Sequence, residues 1–321
     1  MMISVALCTY NGEKFIQKQL DSILNQENYI VDEIIICDDQ SNDSTIEIIN
    51  KYIEDYPKII KLFQNEINLG STKNFEKAIK ICQGNYIFLS DQDDIWNKNK
   101  VNETIKIFNE NFGCQGVFTN ADLINEDDKI IGSSKLWDSI FFLENELPKP
   151  IDLFDIIAKN GNVITGATLC IKKEVKDFIF PFSDEVLHDE WIAILLAIKK
   201  TLCYSRQNLI SYRIHKKQQV GVKSKAKLKS IEHKKRIILG LKVPKSHSDY
   251  LILSKKKWLK IIKLEHVKVF LGSTPYLEKN LVNSYKEYLD LQEKIKLGFP
   301  IKHQLTQWID KIRGKRILKD I

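Results

Sequence analysis

The sequence predicts an α/β fold built on a doubly wound, mostly parallel sheet flanked by helices. Three observations carry that expectation. Short apolar runs alternate with helix-period segments over the first 120 residues in the order β-α-β-α-β-α-β. Three of these runs end in polar clusters, Thr9-Tyr10-Asn11, Asp38-Asp39 and Asp91-Gln92-Asp93-Asp94. A 43% hydrophobic and 10% aromatic composition over 321 residues suits a sizeable core and more than one lobe, and excludes a disordered chain.

Each element has its own warrant. Ile3 to Cys8 is nearly continuous in apolar character, as a strand buried on both faces must be, and stops at the turn residues Thr9 to Gly12. A helix fits 13–26, with Phe15, Ile16, Leu20, Ile23 and Leu24 at helical spacing. The second strand, 33–37, runs into Asp38-Asp39. Asp43 or Ser44 can then cap a helix carrying Ile46, Ile49, Ile53 and Tyr56. A third strand at 59–64, a helix at 73–83 stopped by Gly84, and a fourth strand at 85–90 complete the repeat. From 115 to 221 the pattern is mixed: strands at 116–119 and 167–171, helices at 152–159 and 189–200, and a last strand and loop from Tyr204 to His215. Beyond 222 the chain reads as Lys-rich helical segments with breaks at Pro244, Pro275 and Pro300.

Charge divides the chain. Residues 222–321 hold 25 Lys or Arg against 9 Asp or Glu, whereas the first 221 hold 24 against 33. An acidic body joined to a basic tail suggests two jobs. The six Cys (8, 37, 82, 114, 170 and 203) lie at least 29 residues apart, which excludes a CxxC pair or compact zinc motif and points to buried thiols in a reducing compartment. No stretch approaches the ~20 apolar residues of a membrane span, and the N-terminus lacks a basic region followed by an apolar one, so the expected location is cytoplasmic.

The polar clusters suggest chemistry. Three carboxylates within Asp91 to Asp94 repel one another unless neutralised, and Mg²⁺ or Mn²⁺ would do so; the alternative is a solvated turn capping a helix that begins near Asn97. Asp38-Asp39 could accept hydrogen bonds from a nucleobase imide or ribose, or simply form an acidic turn. The sequence lacks G-x-x-x-x-G-K-[ST], and no G-x-G-x-x-G follows the first strand, so a P-loop is excluded and a dinucleotide fingerprint disfavoured. Asp189 either caps an apolar helix or acts as a general base. His215, in Tyr212-Arg-Ile-His215, is either a structural histidine or a metal ligand.

Together, the stretches Ser4 to Gly12, Gln19 to Gln26, Ile34 to Ser41, Asn68 to Gly70, Asn74 to Glu76, Gly84 to Trp96, Gly166 to Leu169, His188 to Trp191 and Tyr212 to Gly221 resemble glycosyltransferase family 2, in its rhamnosyltransferase-like branch. The resemblance runs in order over about two thirds of the chain. It implies the GT-A fold in residues 1–221, with a nucleotide-binding half (1–115) and an acceptor-binding half (116–221), and leaves 222–321 as a basic, mainly helical region. It implies that Thr9, Tyr10, Asn11, Asp38, Asp39, Asn74 and Asp91 contact a nucleotide-sugar, with Asp39 reading the pyrimidine imide. Asp91, Asp93 and His215 would hold Mn²⁺ or Mg²⁺, and Asp189 would be the catalytic base of an inverting transfer. The implied donor is a dTDP- or UDP-sugar, rhamnose among the options. The implied acceptor is a glycan or polyprenyl-diphosphate-linked glycan in cell-surface polysaccharide synthesis. Gln218 stands where the branch has Asn, a departure in the closing loop.

The basic runs at Lys223 to Lys229, His233 to Arg236 and Lys255 to Lys257, with Trp258, Leu259, Ile261 and Ile262, suit an anionic membrane surface; a solvated helical lobe is the alternative. Two other classes compete. A nucleic-acid-binding protein would use the basic tail but leaves the acidic clusters unexplained. A nucleotidyltransferase would need a phosphate loop rich in Gly and Lys or Arg near the N-terminus, which the sequence lacks.

Overall fold

The parallel core forms as expected. β1 (Ile3–Thr9) and β2 (Glu33–Asp38) are buried along almost their whole length. β3 (Ile60–Gln64) and β4 (Tyr86–Ser90) complete the set: β1 pairs in parallel with both β2 and β4, and β2 with β3. The computed structural model describes residues 1–216 and 225–304.

Three helices make the crossovers, and each starts where local chemistry allows. α1 (Ile16–Leu24) buries Ile16, Gln19, Leu20 and Ile23, one stripe at helical spacing. It begins later than the expected 13 because the Gly12 carbonyl accepts from the amides of both Phe15 and Ile16 in a preceding turn. α2 (Thr45–Asp55) has its first amide held by Asp43 Oδ1 at 3.0 Å, the capping role expected of that aspartate. α3 (Gly70–Ile81) begins three residues earlier than expected, and its start is held by Asp39. The amides of Leu69 and Gly70 donate to the Asp39 carboxylate at 2.7 and 2.8 Å, which satisfies free N–H groups at the positive end of the helix.

Beyond β4 the topology departs from a purely parallel sheet. β5 (Ile95–Trp96), α4 (Lys100–Glu110), β6 (Gly116–Ile124), α5 (Leu136–Ile140), α6 (Leu153–Asn160), β7 (Leu169–Lys172), α7 (Lys176–Ile179), α8 (His188–Ile198) and β8 (Leu202–Arg213) follow in turn. β7 runs antiparallel to both β4 and β6, β8 runs parallel to β6, and β5 is antiparallel to β8. The eight strands lie in the order β3-β2-β1-β4-β7-β6-β8-β5. Apart from the last turn of α6, these elements belong to one compact unit, Met1–Leu143 with Asp152–Ile157 and Asn162–Lys223.

The second unit comprises Glu144–Ile151, Ala158–Gly161 and Ser224–Ile321. Its helices are α9 (Lys225–Ile238), α10 (His247–Leu271) and α11 (Pro275–Gly298). Ser246 caps α10 by accepting from Asp249 N, and Thr274 caps α11 with Pro275 in its first turn. Ile261, Leu264 and Val267 of α10 are buried, as are Leu277 and Leu281 of α11, and Trp258 lies 5.4 Å from Tyr288 between ring centroids. The apolar face expected to meet a membrane is therefore partly consumed inside this unit: Ile261 is fully buried and Trp258 packs at a tilt against Tyr288. Several lysines and arginines are likewise engaged, Lys257 with Glu287 and Arg236 with Glu146. The side chains of Lys223 to Lys229, and Gln218, lie outside the described residues. No helix among the described residues is long and apolar enough to cross a membrane.

Candidate active site

The carboxyl ends of β1, β2 and β4 open into one cavity of about 820 Å³, the place where open α/β sheets collect ligands. Thr9, Tyr10 and Asn11 line it from β1, Asp39 from β2, and Asp91, Gln92 and Asp93 from β4. Hydrogen bonds lock the loops together. Gln92 Oε1 accepts from Tyr10 N at 2.8 Å and Gln92 Nε2 donates to Tyr10 O at 2.9 Å. Asp39 N donates to Thr9 O at 2.9 Å, and Asn11 N donates to Ser41 Oγ at 2.8 Å. Asn11 holds a positive φ of 50°, a conformation that asparagine tolerates better than most side chains.

Neighbouring carboxylates part company here. Asp39 faces the cavity, with its carboxylate fixed by Leu69 N, Gly70 N and Asn65 Nδ2. Asp38 does not line it: its carboxylate accepts from the Thr9 hydroxyl at 2.7 Å and from Ser41 N at 2.8 Å, and serves the turn. Asn74 lines the cavity, but its amide is occupied as a strut between Cys37 O and Asn65 Nδ2.

The aspartate cluster divides in the same way. Asp91 and Asp93 face the cavity, whereas Asp94 is buried and accepts from Arg213 N at 2.9 Å. Part of the crowding is relieved by a buried lysine, whose charge pulls the pKa values of Asp91 and Asp94 down against the rise that burial causes. Lys100, 1% exposed, donates to Ala167 O at 2.7 Å behind the cluster; burial pushes its pKa down to about 7, while Asp94 and Asp91 pull it upward. Arg213, fully buried, donates through Nε to the Asp93 carbonyl at 2.7 Å, pairs with Asp128 at 2.6 Å and lies over the Phe15 ring. Neither cation was singled out from sequence, because Lys and Arg are ordinarily surface residues.

Arg213 ends β8 and delivers His215 two residues later. His215 Nε2 stands 2.7 Å from Asp93 Oδ2 inside the cavity. Asp91 adds a carboxylate whose pKa burial pushes up to about 8, with the charges of Asp93 and Asp189 adding to the rise. Asp93 Oδ2 and His215 Nε2 are an oxygen and a nitrogen donor of the kinds that Mn²⁺ or Mg²⁺ accepts. Among the described residues no three His, Cys, Asp or Glu come together as a group that could hold a metal ion, so an ion here would take most of its ligands from substrate and water.

Asp189 closes the cavity from the first turn of α8. Asn162 Nδ2 (2.7 Å) and Glu190 N (2.7 Å) donate to its Oδ1, and Gly166 N (3.0 Å) donates to its Oδ2. Burial pushes its pKa up to about 7, and these hydrogen bonds restrain the rise. A carboxylate poised near neutrality, with an acceptor position still open on Oδ2, can take a proton from a hydroxyl. Asn162, which orients it, carried no signal in the sequence. His188, also in the cavity wall, was legible only as the neighbour of Asp189 in a motif.

The comparisons agree with this geometry. The model for "Glycosyl transferase family 2" matches residues 4–169. A Shigella flexneri protein described as dTDP-rhamnosyl transferase RfbG is 32% identical over 243 residues, 70% of this chain and 78% of that one. A Salmonella typhimurium abequosyltransferase, RfbV, is 28% identical over 188 residues, 56% and 55% of the two chains. Among solved structures, S. aureus TarS 1–349 in complex with UDP-GlcNAc covers 91% of this chain and 81% of its own at TM-score 0.52 and 17% identity. A Pyrobaculum calidifontis mannosyltransferase in complex with GDP-Man and Mn²⁺ covers 89% and 86% at TM-score 0.51 and 14% identity, a likeness of fold. The matched segment spans the strand ends that build the cavity, and on that ground the chain belongs to glycosyl transferase family 2.

Proposed function

We propose that the protein transfers a sugar from a nucleoside-diphosphate donor, dTDP- or UDP-linked, to a hydroxyl of a glycan or lipid-linked glycan, in the synthesis of a surface polysaccharide. The observation that carries this reading is the convergence of the three strand-end loops with Asp189 in one cavity. The S. flexneri and S. typhimurium relatives, named for rhamnosyl and abequosyl transfer, support a deoxysugar donor, with rhamnose the first to test.

The chain's own residues have separable roles. Thr9, Tyr10, Asn11 and Asp39 hold the nucleoside end, with one acceptor position on the fixed Asp39 carboxylate open to a pyrimidine imide N–H. Asp93 and His215, with Asp91 nearby in the cavity wall, would hold a divalent cation. Such an ion, when bound, offsets the negative charge that builds on the leaving diphosphate. Asp189 takes the proton of the acceptor hydroxyl as that oxygen bonds to the anomeric carbon and the bond from that carbon to the diphosphate oxygen breaks. One displacement inverts the anomeric configuration.

The test is transfer from dTDP-rhamnose and a panel of UDP-sugars to a glycan acceptor, with the product's anomeric configuration read by NMR. An inverted product, formed at least ~100-fold more slowly by Asp189→Ala, is expected. A retained configuration, or an unchanged Asp189→Ala rate, contradicts the assignment. The basic C-terminal unit is proposed to meet anionic lipid. Sedimentation with vesicles containing anionic lipid should be lost in their neutral counterparts, and equal sedimentation with both rejects that role.

A further inference from the structure

The transfer reaction set out above leaves His188 without a task, and the surroundings of this residue point to one. His188 opens α8 immediately before Asp189 and is 5% exposed, yet its ring lines the cavity. One face of the imidazole stacks on Phe75, with 3.9 Å between centroids and 20° between planes. Its Nε2 occupies the space beside Gly166, where an added Cβ would stand only 2.7 Å away. The ring is thus held in place by packing on one side and by the missing side chain of a glycine on the other. Neither ring nitrogen has a hydrogen-bond partner among the described residues.

A buried imidazole with two unsatisfied nitrogens costs stability, and such a cost is recovered when a ligand supplies the missing partners. Burial pushes the His188 pKa down to about 3, so the ring is neutral near pH 7, with one nitrogen donating and the other accepting. A neutral ring is a poor match for a diphosphate, which calls for charged donors. It is a good match for a hydroxyl, which both donates and accepts. Phe75 follows Asn74, whose side chain reaches Cys37 O near the end of β2, and both line the same cavity as Asp39. If Asp189 deprotonates the attacking hydroxyl, the anomeric carbon of the transferred sugar must come to rest beside it, and Asp189 is the residue that follows His188.

We infer that His188 hydrogen-bonds a hydroxyl of the sugar being transferred and thereby helps select which sugar the site accepts. The inference rests on the nucleotide-sugar reading of the same cavity and adds a sugar-contacting residue to it.

Isothermal titration with Mn²⁺ present tests this on the full chain. Wild type, His188→Leu and His188→Gln are titrated with dTDP and UDP, and with dTDP-rhamnose, UDP-GlcNAc and GDP-mannose. His188→Leu should bind the free diphosphate within about twofold of wild type but the matching nucleotide-sugar on the order of tenfold more weakly. His188→Gln, which keeps a neutral donor and acceptor, should recover part of that loss. Unchanged affinity for the nucleotide-sugar, or an equal loss for sugar-bearing and sugar-free ligands, overturns the inference and leaves the functional reading standing. Wild type binding none of these ligands overturns both. Should His188→Leu fail to fold, the same comparison on His188→Ala decides: a loss confined to the nucleotide-sugar supports the inference, and an equal or absent loss rejects it.

Discussion

Asp93 and His215 are 122 positions apart in the chain, yet Asp93 Oδ2 and His215 Nε2 stand 2.7 Å from one another. The contact joins the loop after β4 to the end of β8, and Arg213 sets it by holding the Asp93 carbonyl from beneath. If this pair receives a divalent cation, Asp93→Ala should lower the transfer rate by on the order of 10²-fold. His215→Ala should lose less, and added Mn²⁺ should restore part of its rate. Initial rates against Mn²⁺ concentration check this, and a His215→Ala curve that overlays wild type would remove the histidine from the site.

Asp189 makes a pH prediction. Its pKa of about 7 means that the base is lost as protons are added, so the rate should fall below roughly pH 7 along a single-proton limb. Stability should move the other way. Folding raises this carboxyl's pKa above its unfolded value near 3.9, so the folded state binds the extra proton between those limits. The resulting stabilisation is full at low pH and lost as pH rises through about 7. Melting temperatures of wild type and Asp189→Asn, compared from pH 5 to 8, should show the wild type losing ground as pH rises; a constant difference would contradict the shift.

Arg213 is expected to matter more to the fold than to binding. It is fully buried, holds the Asp93 carbonyl and the Asn125 carbonyl, and pairs with Asp128. Replacing it with Met leaves the two carbonyls without that donor, while Asp128, part exposed, keeps Lys18, so the cost should be about 1–3 kcal/mol. Urea unfolding of Arg213→Met measures the loss, and a cost below ~1 kcal/mol would show that the loops hold without it.

Gly166 offers a steric check. A methyl group there would press on His188 Nε2 while leaving the amide that donates to Asp189 in place. Gly166→Ala should therefore destabilise the protein by about 1–3 kcal/mol, as overpacking does, and lower kcat/KM. Thermal melting and steady-state rates of the variant test both expectations, and wild-type values in the two would show that the His188 ring yields freely.

Much of this was legible in the sequence because the signals are local. Four apolar runs with intervening helical stripes were enough to place β1 to β4 and the loops after three of them. β5 was not legible, since two residues cannot show alternation, and neither was the antiparallel setting of β7, whose partners are remote in sequence. The same limit explains Asp38 and Asp94. Neighbouring side chains at a strand end or in a tight bend point to different sides, so sequence alone shows a carboxylate cluster without showing which member faces the cavity. Lys100 and Arg213 were missed because charge type argues for the surface until burial is seen. His188 was hidden beside an aspartate whose role was easier to name.

Thermal stabilisation by nucleoside-diphosphate sugars, with and without Mn²⁺, is the most direct test of the cavity assignment. At least one dTDP- or UDP-linked sugar should raise the melting temperature of wild type in the presence of Mn²⁺, with much of the shift lost without the ion and in Asp93→Ala. No shift with any of these donors, or a shift equal in size in Asp93→Ala and without Mn²⁺, would contradict it.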